Sequence, residues 1–264
     1  MSPRNFKNIS GDSMKHLFAT GLAFFITVSP ICSANSMENA PTTSNDELRT
    51  LLRAAIDRFE QTERHQWSYR VHRYENEEGE ITSSIEHFLP RPQGQSSWTL
   101  EQSNGQIPTA KQQAKFREQK AEQQSNKGES NNHFSLKLRE LIILNSIQFE
   151  SANDQHIKAR FDVTLEKLGE RASRKLTGLL HYDQDLGYIE SITISNTDSF
   201  SPMFSANIEH FELTISFTIE QDQVLPHEQN LTMRGTFAIF SEIDEVSKDR
   251  FTDYRFISND NQVN

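Results

Sequence analysis

Cysteine is almost absent from this sequence, because Cys32 is the only one among 264 residues. A lone cysteine cannot form an internal disulfide, and it cannot supply the paired thiolates of a structural zinc site. The fold must therefore be stabilised by a packed hydrophobic core. A chain of this length is long enough to form one.

The short motifs of common catalytic chemistries are also missing. The sequence has no zinc-protease helix motif, phosphate-binding loop, dinucleotide fingerprint or Gly-x-Ser-x-Gly elbow. Its nine histidines are dispersed, and none stands two or four residues from another. Asp183 and Asp185 resemble the start of a calcium loop, but Asn196 stands near the place of the closing acid, so we prefer a hairpin turn. We predict no metal, no cofactor and no enzymatic activity.

Positive charge is scarce as well. The whole chain carries 27 basic and 37 acidic residues, and without residues 1–34 the balance becomes 24 against 36. Such an acidic chain is poorly suited to bind nucleic acid or an anionic membrane surface through bulk electrostatics. We therefore predict neither partner.

Long apolar runs are absent, and the longest run, Leu17 to Val28, has about a dozen residues. A membrane-spanning helix needs about 20 apolar residues. Lys15 and His16 precede the run and small residues follow it up to Ala34, which is typical of a cleaved export signal. We predict a signal over residues 1–34, starting at Met1 or Met14, cleavage after Ala34 and a periplasmic mature chain with no transmembrane segment. Lipidation of Cys32 is the alternative, although Ile31 precedes it where the lipoprotein pattern has a small residue.

The mature chain is predicted to begin with a flexible segment, 35–44, followed by an amphipathic helix. Ser44 and Glu47 have the spacing of a capping box. Apolar residues then recur at helical spacing as far as about Arg64, at Leu48, Leu51, Leu52, Ala55, Ile56 and Phe59. This helix must cover an apolar surface.

Strands follow, because the apolar period changes from 3.6 to 2. Trp67, Tyr69 and Val71 alternate with polar residues, and two further strands are predicted before the Asn104-Gly105 turn. Thr109–Gln124 predicts a peripheral helix with one apolar residue. The polar stretch 125–132 is interpreted as a mobile linker within one domain, 45–264, and a domain boundary there is the alternative.

The second half of the chain predicts strands at Phe134–Leu144, Ile147–Glu150, Ile157–Leu165, Leu176–Tyr182, Tyr188–Ser195, Ile208–Glu220, Leu231–Phe240 and Tyr254–Ile257. Their short connections favour an antiparallel sheet, and ten or eleven strands are too many for a flat one. The predicted fold is α+β, mainly β. It is a strongly curved half-open barrel, with the amphipathic helix and the peripheral helix packed at its concave side.

Two groups of residues are candidates for binding. The first alternates along the predicted strands and could line an apolar ligand cavity, or simply form the core: Trp67, Tyr69, Val71, Trp98, Phe211, Leu213, Ile215 and Phe217. The second lies in a proline-containing loop and could contact a partner, or pack back onto the sheet: Phe200, Pro202, Met203 and Phe204.

The layout of these elements resembles the bacterial periplasmic lipoprotein carriers of the lipoprotein localisation factor type. The resemblance rests on the export signal, the amphipathic helix, the Trp67-Ser-Tyr-Arg-Val and Trp98-Thr-Leu strands, and the turn that contains Asn104-Gly105 and Pro108. It spans most of the mature chain and implies a half-open barrel whose helices plug an apolar cavity for acyl chains. None of the carriers' functional residues can be matched by position.

Three functions follow as hypotheses. The first is a non-enzymatic periplasmic protein that binds an apolar or lipidic ligand, or a lipidated partner, on the concave face of the sheet. The second is an envelope interaction or structural protein without a ligand cavity, and the third is a hydrolase that uses acidic residues on the open face. An apolar cavity would favour the first hypothesis and a filled interior the second. The sequence does not predict the ligand or the oligomeric state.

Overall fold

The computed structural model describes residues 44–90, 96–125, 137–165, 169–203, 205–238 and 241–257. The predicted export signal, the segment 35–43 and residues 126–132 of the predicted linker lie outside the described residues. The described helices and strands, in chain order, are α1 Asn45–Gln61, β1 Trp67–Glu77, β2 Glu80–Pro90, β3 Ser96–Ser103, α2 Ala110–Ser125, α3 Leu138–Leu141, β4 Gln148–Ala152, β5 His156–Asp162, α4 Gly169–Ser173, β6 Leu176–Asp183, β7 Tyr188–Asn196, β8 Phe200–Met203, β9 Ala206–Glu220, β10 Gln223–Phe237 and β11 Ser241–Phe256.

All eleven strands of the described ranges belong to one antiparallel sheet. The strand order is β3-β2-β1-β11-β10-β9-β7-β6-β5-β4, with the short β8 paired to β9. β3 and β4 lie at opposite ends of this order, so within the described ranges the sheet does not close into a barrel. This confirms the predicted fold class, a curved, half-open sheet with two helices.

Helix α1 begins as its sequence predicts. The Ser44 side chain accepts a hydrogen bond from the Glu47 backbone N–H at 3.2 Å, which satisfies one of the free donors of the first turn. The buried face consists of Leu48, Leu52, Ala55, Ile56 and Phe59. The helix ends at Gln61, three residues before the predicted end, and a 3-10 turn over Arg64–Gln66 leads into β1.

Two strand predictions were wrong in the second half. The region predicted as a strand over Phe134–Leu144 contains α3 instead, because Leu138, Leu141 and Ile142 recur at three- and four-residue spacing and are buried together. β11 begins at Ser241 rather than near Tyr254. Its polar composition hid it, since charged side chains on this strand pair with charges on neighbouring strands.

The buried apolar residues form two clusters on the concave face. The main core lies between α1 and strands β5 to β10, and it includes Phe59, Phe161 and Phe211. A smaller aromatic cluster lies between α2 and strands β1, β2, β3 and β11. Ile243 of β11 joins the main core and Phe251 joins the smaller cluster, and even spacing along a strand places both on the same face.

Candidate functional site

The structure divides the first group of predicted binding residues between the two clusters. Phe211, Ile215 and Phe217 are buried in the main core, with Leu213 partly buried against it. Tyr69, Val71 and Trp98 belong to the cluster beneath α2. Trp67 is buried beside the cluster beneath α2, with its ring edge-on to Tyr254 and the ring centroids 6.1 Å apart.

Helix α1 already occupies the surface that the main-core residues present. The Phe59 ring meets the Phe217 ring edge-on, with the centroids 4.9 Å apart. Phe211 and Ile215 are almost fully buried in the same cluster. A ligand could reach these side chains only by displacing a helix that buries five apolar residues.

Beneath α2 the sheet presents a continuous aromatic surface, which we call the aromatic floor. Tyr69 lies at its centre, with ring centroids 5.0 Å from Phe88, 6.0 Å from Trp98 and 5.9 Å from Phe251. The floor consists of Tyr69, Val71, Phe88, Trp98, Leu100 and Phe251. Its residues come from four strands, because cross-strand neighbours on one face of a sheet bring alternate side chains together.

Helix α2 covers this floor with very little apolar surface. Among its described side chains only Phe116 and Lys120 are buried. The Lys120 ammonium group lies 4.5 Å from the centroid of the Trp98 ring and 5.1 Å from that of Phe116, within the range of cation–π attraction. Gln113 adds a hydrogen bond from its side-chain amide to the Leu100 carbonyl, at 2.5 Å.

A group of four charges, two of them buried and two half-buried, joins α2 to the sheet, and we call it the charge latch. Lys120 Nζ lies 2.7 Å from Glu86 Oε2. Arg73 donates to Glu86 Oε1 at 3.1 Å and to Asp249 Oδ2 at 2.8 Å. Lys120, Glu86, Arg73 and Asp249 thus alternate in charge from α2 across β2 and β1 to β11.

The surroundings of the latch shift the pKa values of its members. Burial by itself would raise the pKa of Glu86, but Arg73 and Lys120 outweigh burial and hold that pKa below its ordinary value. Burial lowers the pKa of Lys120 against the opposing effect of Glu86, and it raises the pKa of Asp249. The pKa values of the two carboxyl groups are therefore shifted in opposite directions.

A cavity of about 250 Å³ opens beside the latch, between α2 and strands β1 to β3. Its lining is mostly polar and includes Arg73, Glu75, Glu86, Lys115 and Gln112, with Leu100 and Phe116 as its apolar members. None of the eight predicted ligand-binding residues lines it. The cavity is also smaller than the usual range for sites of drug-sized ligands, which begins at about 300 Å³.

The predicted partner-contact loop is the short strand β8 for most of its length. Phe200 is buried, and its ring meets Phe211 edge-on at 6.2 Å, so this side chain packs back onto the sheet. Pro202 is half-buried. Met203 ends the strand, and Phe204 lies outside the described residues.

The described ranges contain neither a cluster of metal ligands nor a helix suited to span a membrane. No group of three or more His, Cys, Asp or Glu side chains there is placed to hold a metal ion. No helix in those ranges has the length and apolar character needed to cross a bilayer. The Asp183–Gly187 segment forms the turn between β6 and β7, with Gly187 N–H donating to the Asp183 carbonyl at 3.0 Å, as preferred from the sequence.

The charge latch was not predicted from the sequence, because its four residues come from four separate elements. One signal was available in β1, where Trp67, Tyr69 and Val71 set a period of two that places Arg73 on the same buried face. A charged residue at an inward position requires a buried partner. The sequence does not show which carboxylate supplies it.

Comparisons with known proteins complete the description of this site. No protein-family model matches the chain, and no curated protein matches it. One solved structure is similar. It is a DUF1329 family protein from Desulfovibrio piger, 10% identical, with a TM-score of 0.34, and the match covers 81% of this chain and 95% of that one. At this level of similarity the match supports no argument about function.

Proposed function

We propose that the protein is an exported binding protein that takes an apolar or lipidic ligand, or the acyl chain of a lipidated partner, on the aromatic floor beneath α2. The observation that carries the proposal is the mismatch between the floor and its cover. Six buried apolar residues form the floor, and among the described side chains of the covering helix Phe116 is the only buried apolar one.

The energetics of the two helices support α2 as the movable cover. Burial of a large apolar side chain contributes about 1.5–3 kcal/mol, so Phe116 supplies about that much to the docking of α2. The Lys120–Glu86 pair adds little net stability, because desolvation of two charges offsets most of their attraction. Helix α1 buries four large apolar side chains and an alanine, and its docking is several times stronger.

Binding requires α2 to move, because the cavity beside it is small and none of the aromatic side chains of the floor lines it. Lifting the helix would expose the aromatic floor and hydrate the charge latch at its rim. An acyl chain would then cover the rings while a polar head group lies near Lys120, Glu86 and Arg73. The affinity observed for such a ligand would be reduced by the small fraction of molecules in which α2 is open.

A quenching experiment tests this location directly, since the chain has two tryptophans and only Trp98 belongs to the floor. Bromine quenches tryptophan fluorescence only at short range. In the Trp67→Phe variant, a dibrominated stearic acid should quench Trp98 saturably. The matched Trp98→Phe variant, which reports from Trp67, should be quenched much less.

Two further arms complete the test. Phe116→Ala should raise the affinity for the brominated acid, because it favours the open state, whereas Arg117→Ala on the exposed face of α2 should not. Lipid extracts of the purified protein should contain a bound lipid detectable by mass spectrometry. Absence of saturable quenching in Trp67→Phe together with lipid-free extracts would rule the proposal out.

A further inference from the structure

The convex face of the same three strands carries a second arrangement of side chains that the binding function does not use. Ser68 of β1, His87 of β2 and Glu101 of β3 lie on three adjacent strands. Ser68 Oγ is 2.9 Å from His87 Nε2, and His87 Nδ1 is 3.5 Å from Glu101 Oε1. The two ring nitrogens thus face a hydroxyl on one side and a carboxylate on the other.

This is the order of groups in a serine nucleophile triad. In such a triad one ring nitrogen accepts the hydroxyl proton, while the other donates to a carboxylate that fixes the tautomer and stabilises the imidazolium. The triad is recognised by geometry and not by chain order, and it occurs on unrelated folds. The 3.5 Å separation is long for a hydrogen bond, and such contacts are often longer before a substrate binds.

Glu101 is held in place from its other side. Arg70 donates to Glu101 Oε2 at 2.8 Å and to Oε1 at 3.2 Å, a bidentate pair that fixes the carboxylate plane. Arg70 also contacts Asp253 Oδ2 at 3.1 Å, so the guanidinium is itself anchored between β3 and β11. His87 therefore faces a carboxylate whose orientation is set by two neighbouring strands.

A cationic residue is also the cross-strand neighbour of Ser68. Arg255 of β11 is the direct cross-strand partner of Ser68, and its side chain is exposed. Directly opposed residues have Cβ atoms about 4.5–5.5 Å apart, which is within reach of a guanidinium group. A positive charge there could stabilise the oxyanion that forms when a carbonyl carbon is attacked.

We propose that Ser68 is a reactive nucleophile and that the protein hydrolyses esters of short acyl groups on its convex face. Ser68 Oγ attacks the ester carbonyl as its proton passes to His87 Nε2, and the departing alkoxide takes that proton as the C–O bond breaks. Water then attacks the acyl-serine with His87 as base, which releases the carboxylic acid and restores the hydroxyl. Ser68 and His87 are the catalytic residues, and Glu101 is a positioning residue.

The burial of Ser68 determines the class of substrate. Only 4% of the residue is exposed, so a bulky or branched acyl group could not reach the hydroxyl between its neighbouring side chains. An acetyl or propionyl ester is slender enough to do so. This activity goes beyond the proposed binding function, and it departs from the prediction that the chain is not an enzyme.

The first experiment uses the wild-type protein and p-nitrophenyl acetate, with an acid quench that traps the acetyl-serine. Peptide mapping of the quenched protein should find the acetyl group on Ser68. Ser68→Ala and His87→Ala should each lower the rate of acetate release by about a hundredfold or more. Ser97→Ala and His72→Ala are the matched controls, since both side chains stand on the same convex face and neither belongs to the triad, and both should retain the wild-type rate.

The role of Glu101 has its own measurement. Glu101→Ala should lower kcat with little change in KM, and Glu101→Asp should recover part of kcat. A wild-type protein that carries no acetyl group on Ser68 after the quench would overturn the proposal, as would a Ser68→Ala variant that hydrolyses the ester at the wild-type rate. The acetylation result on the wild-type protein decides the question even if a variant fails to fold. The brominated-lipid experiment concerns the opposite face of the sheet, so failure of the binding proposal leaves the hydrolase proposal untouched, and the reverse also holds.

Discussion

Helix α1 packs five buried side chains onto the sheet, all of them apolar, whereas the described buried side chains of α2 are one phenylalanine and one lysine. Both helices cover the same concave face. The α1 region has the composition of an ordinary hydrophobic core. The α2 region places a helix of low apolar content over aromatic rings and anchors it with charges.

The two helices therefore differ in the free energy that holds each of them on the sheet. Apolar burial is cumulative, so α1 can leave the sheet only at a cost close to that of unfolding the core. A buried ion pair adds little net stability but is specific in geometry, because a misplaced partner leaves an uncompensated charge. Helix α2 is therefore held weakly in one defined position, which suits a cover that opens and closes again.

The largest expected effect comes from truncating the α1 face. Leu52→Ala should lower the free energy of unfolding by about 2–5 kcal/mol, because Leu52 is fully buried and its removal leaves a cavity in the main core. Urea denaturation followed by circular dichroism measures the loss. Arg53→Ala, at an exposed position on the same helix, is the control and should change little. A small effect of Leu52→Ala would contradict the contrast between the helices.

Phe116→Ala should cost less, about 1.5–3 kcal/mol, and the cost should be local. Since Phe116 is the only buried apolar residue described in α2, its removal should free the helix without unfolding the main core. Hydrogen exchange should then accelerate at α2 amides and stay unchanged at α1 amides, with Arg117→Ala as the control. Equal acceleration in both helices would show that they do not open separately.

Lys120→Met should also release α2, by leaving the buried Glu86 without its ammonium partner. Loss of one member of a buried pair usually costs about 3–5 kcal/mol, but here α2 can lift and let water reach Glu86. The observed cost should therefore not exceed the docking energy of α2. The Lys120→Met/Glu86→Gln double variant should regain protection of α2 from exchange, and Lys111→Met should behave as wild type. Failure of the double variant to recover would mean that the latch does not hold the helix.

The sequence was sufficient to predict the elements that rest on periodicity. The N-cap at Ser44, the stripe of α1 and the alternation of Phe211, Ile215 and Phe217 each lie within a single segment, and the structure confirms all three. A curved antiparallel sheet of ten or eleven strands follows from that alternation and from short connections. β11 was mostly missed because its charged residues find partners across strands, which no local pattern encodes.

The sites were less accessible to sequence analysis than the fold. Aromatic alternation correctly placed Tyr69, Val71 and Trp98 on one buried surface, but it could not show that α1 covers Phe211 while α2 covers Trp98. The charge latch and the Ser68–His87–Glu101 arrangement depend on register between strands. Register is fixed by the whole sheet, and no spacing along the chain predicts it.

The smallest expected effect is a change in how stability depends on pH. It distinguishes α2, which is held partly by charges, from α1, whose buried face is apolar. The pKa of Glu86 is depressed, so the folded state binds its proton less tightly than the unfolded state does. The stability that Glu86 provides is thus present above the ordinary glutamate pKa of about 4.3 and is lost as the pH falls below it. Burial raises the pKa of Asp249, so protonation of this group at low pH favours the folded state and opposes the effect of Glu86.

Glu86→Gln should therefore flatten the decline of melting temperature as the pH falls below the ordinary glutamate pKa of about 4.3. Glu118→Gln, at an exposed position on α2, should leave the decline unchanged. Hydrogen exchange measured as the pH is lowered should show where the difference arises, because protonation of Glu86 in the open state removes its attraction to Lys120 and so loosens α2 before α1. An acid response confined to α1, or identical in wild type and Glu86→Gln, would show that the charges of the latch do not govern the docking of α2.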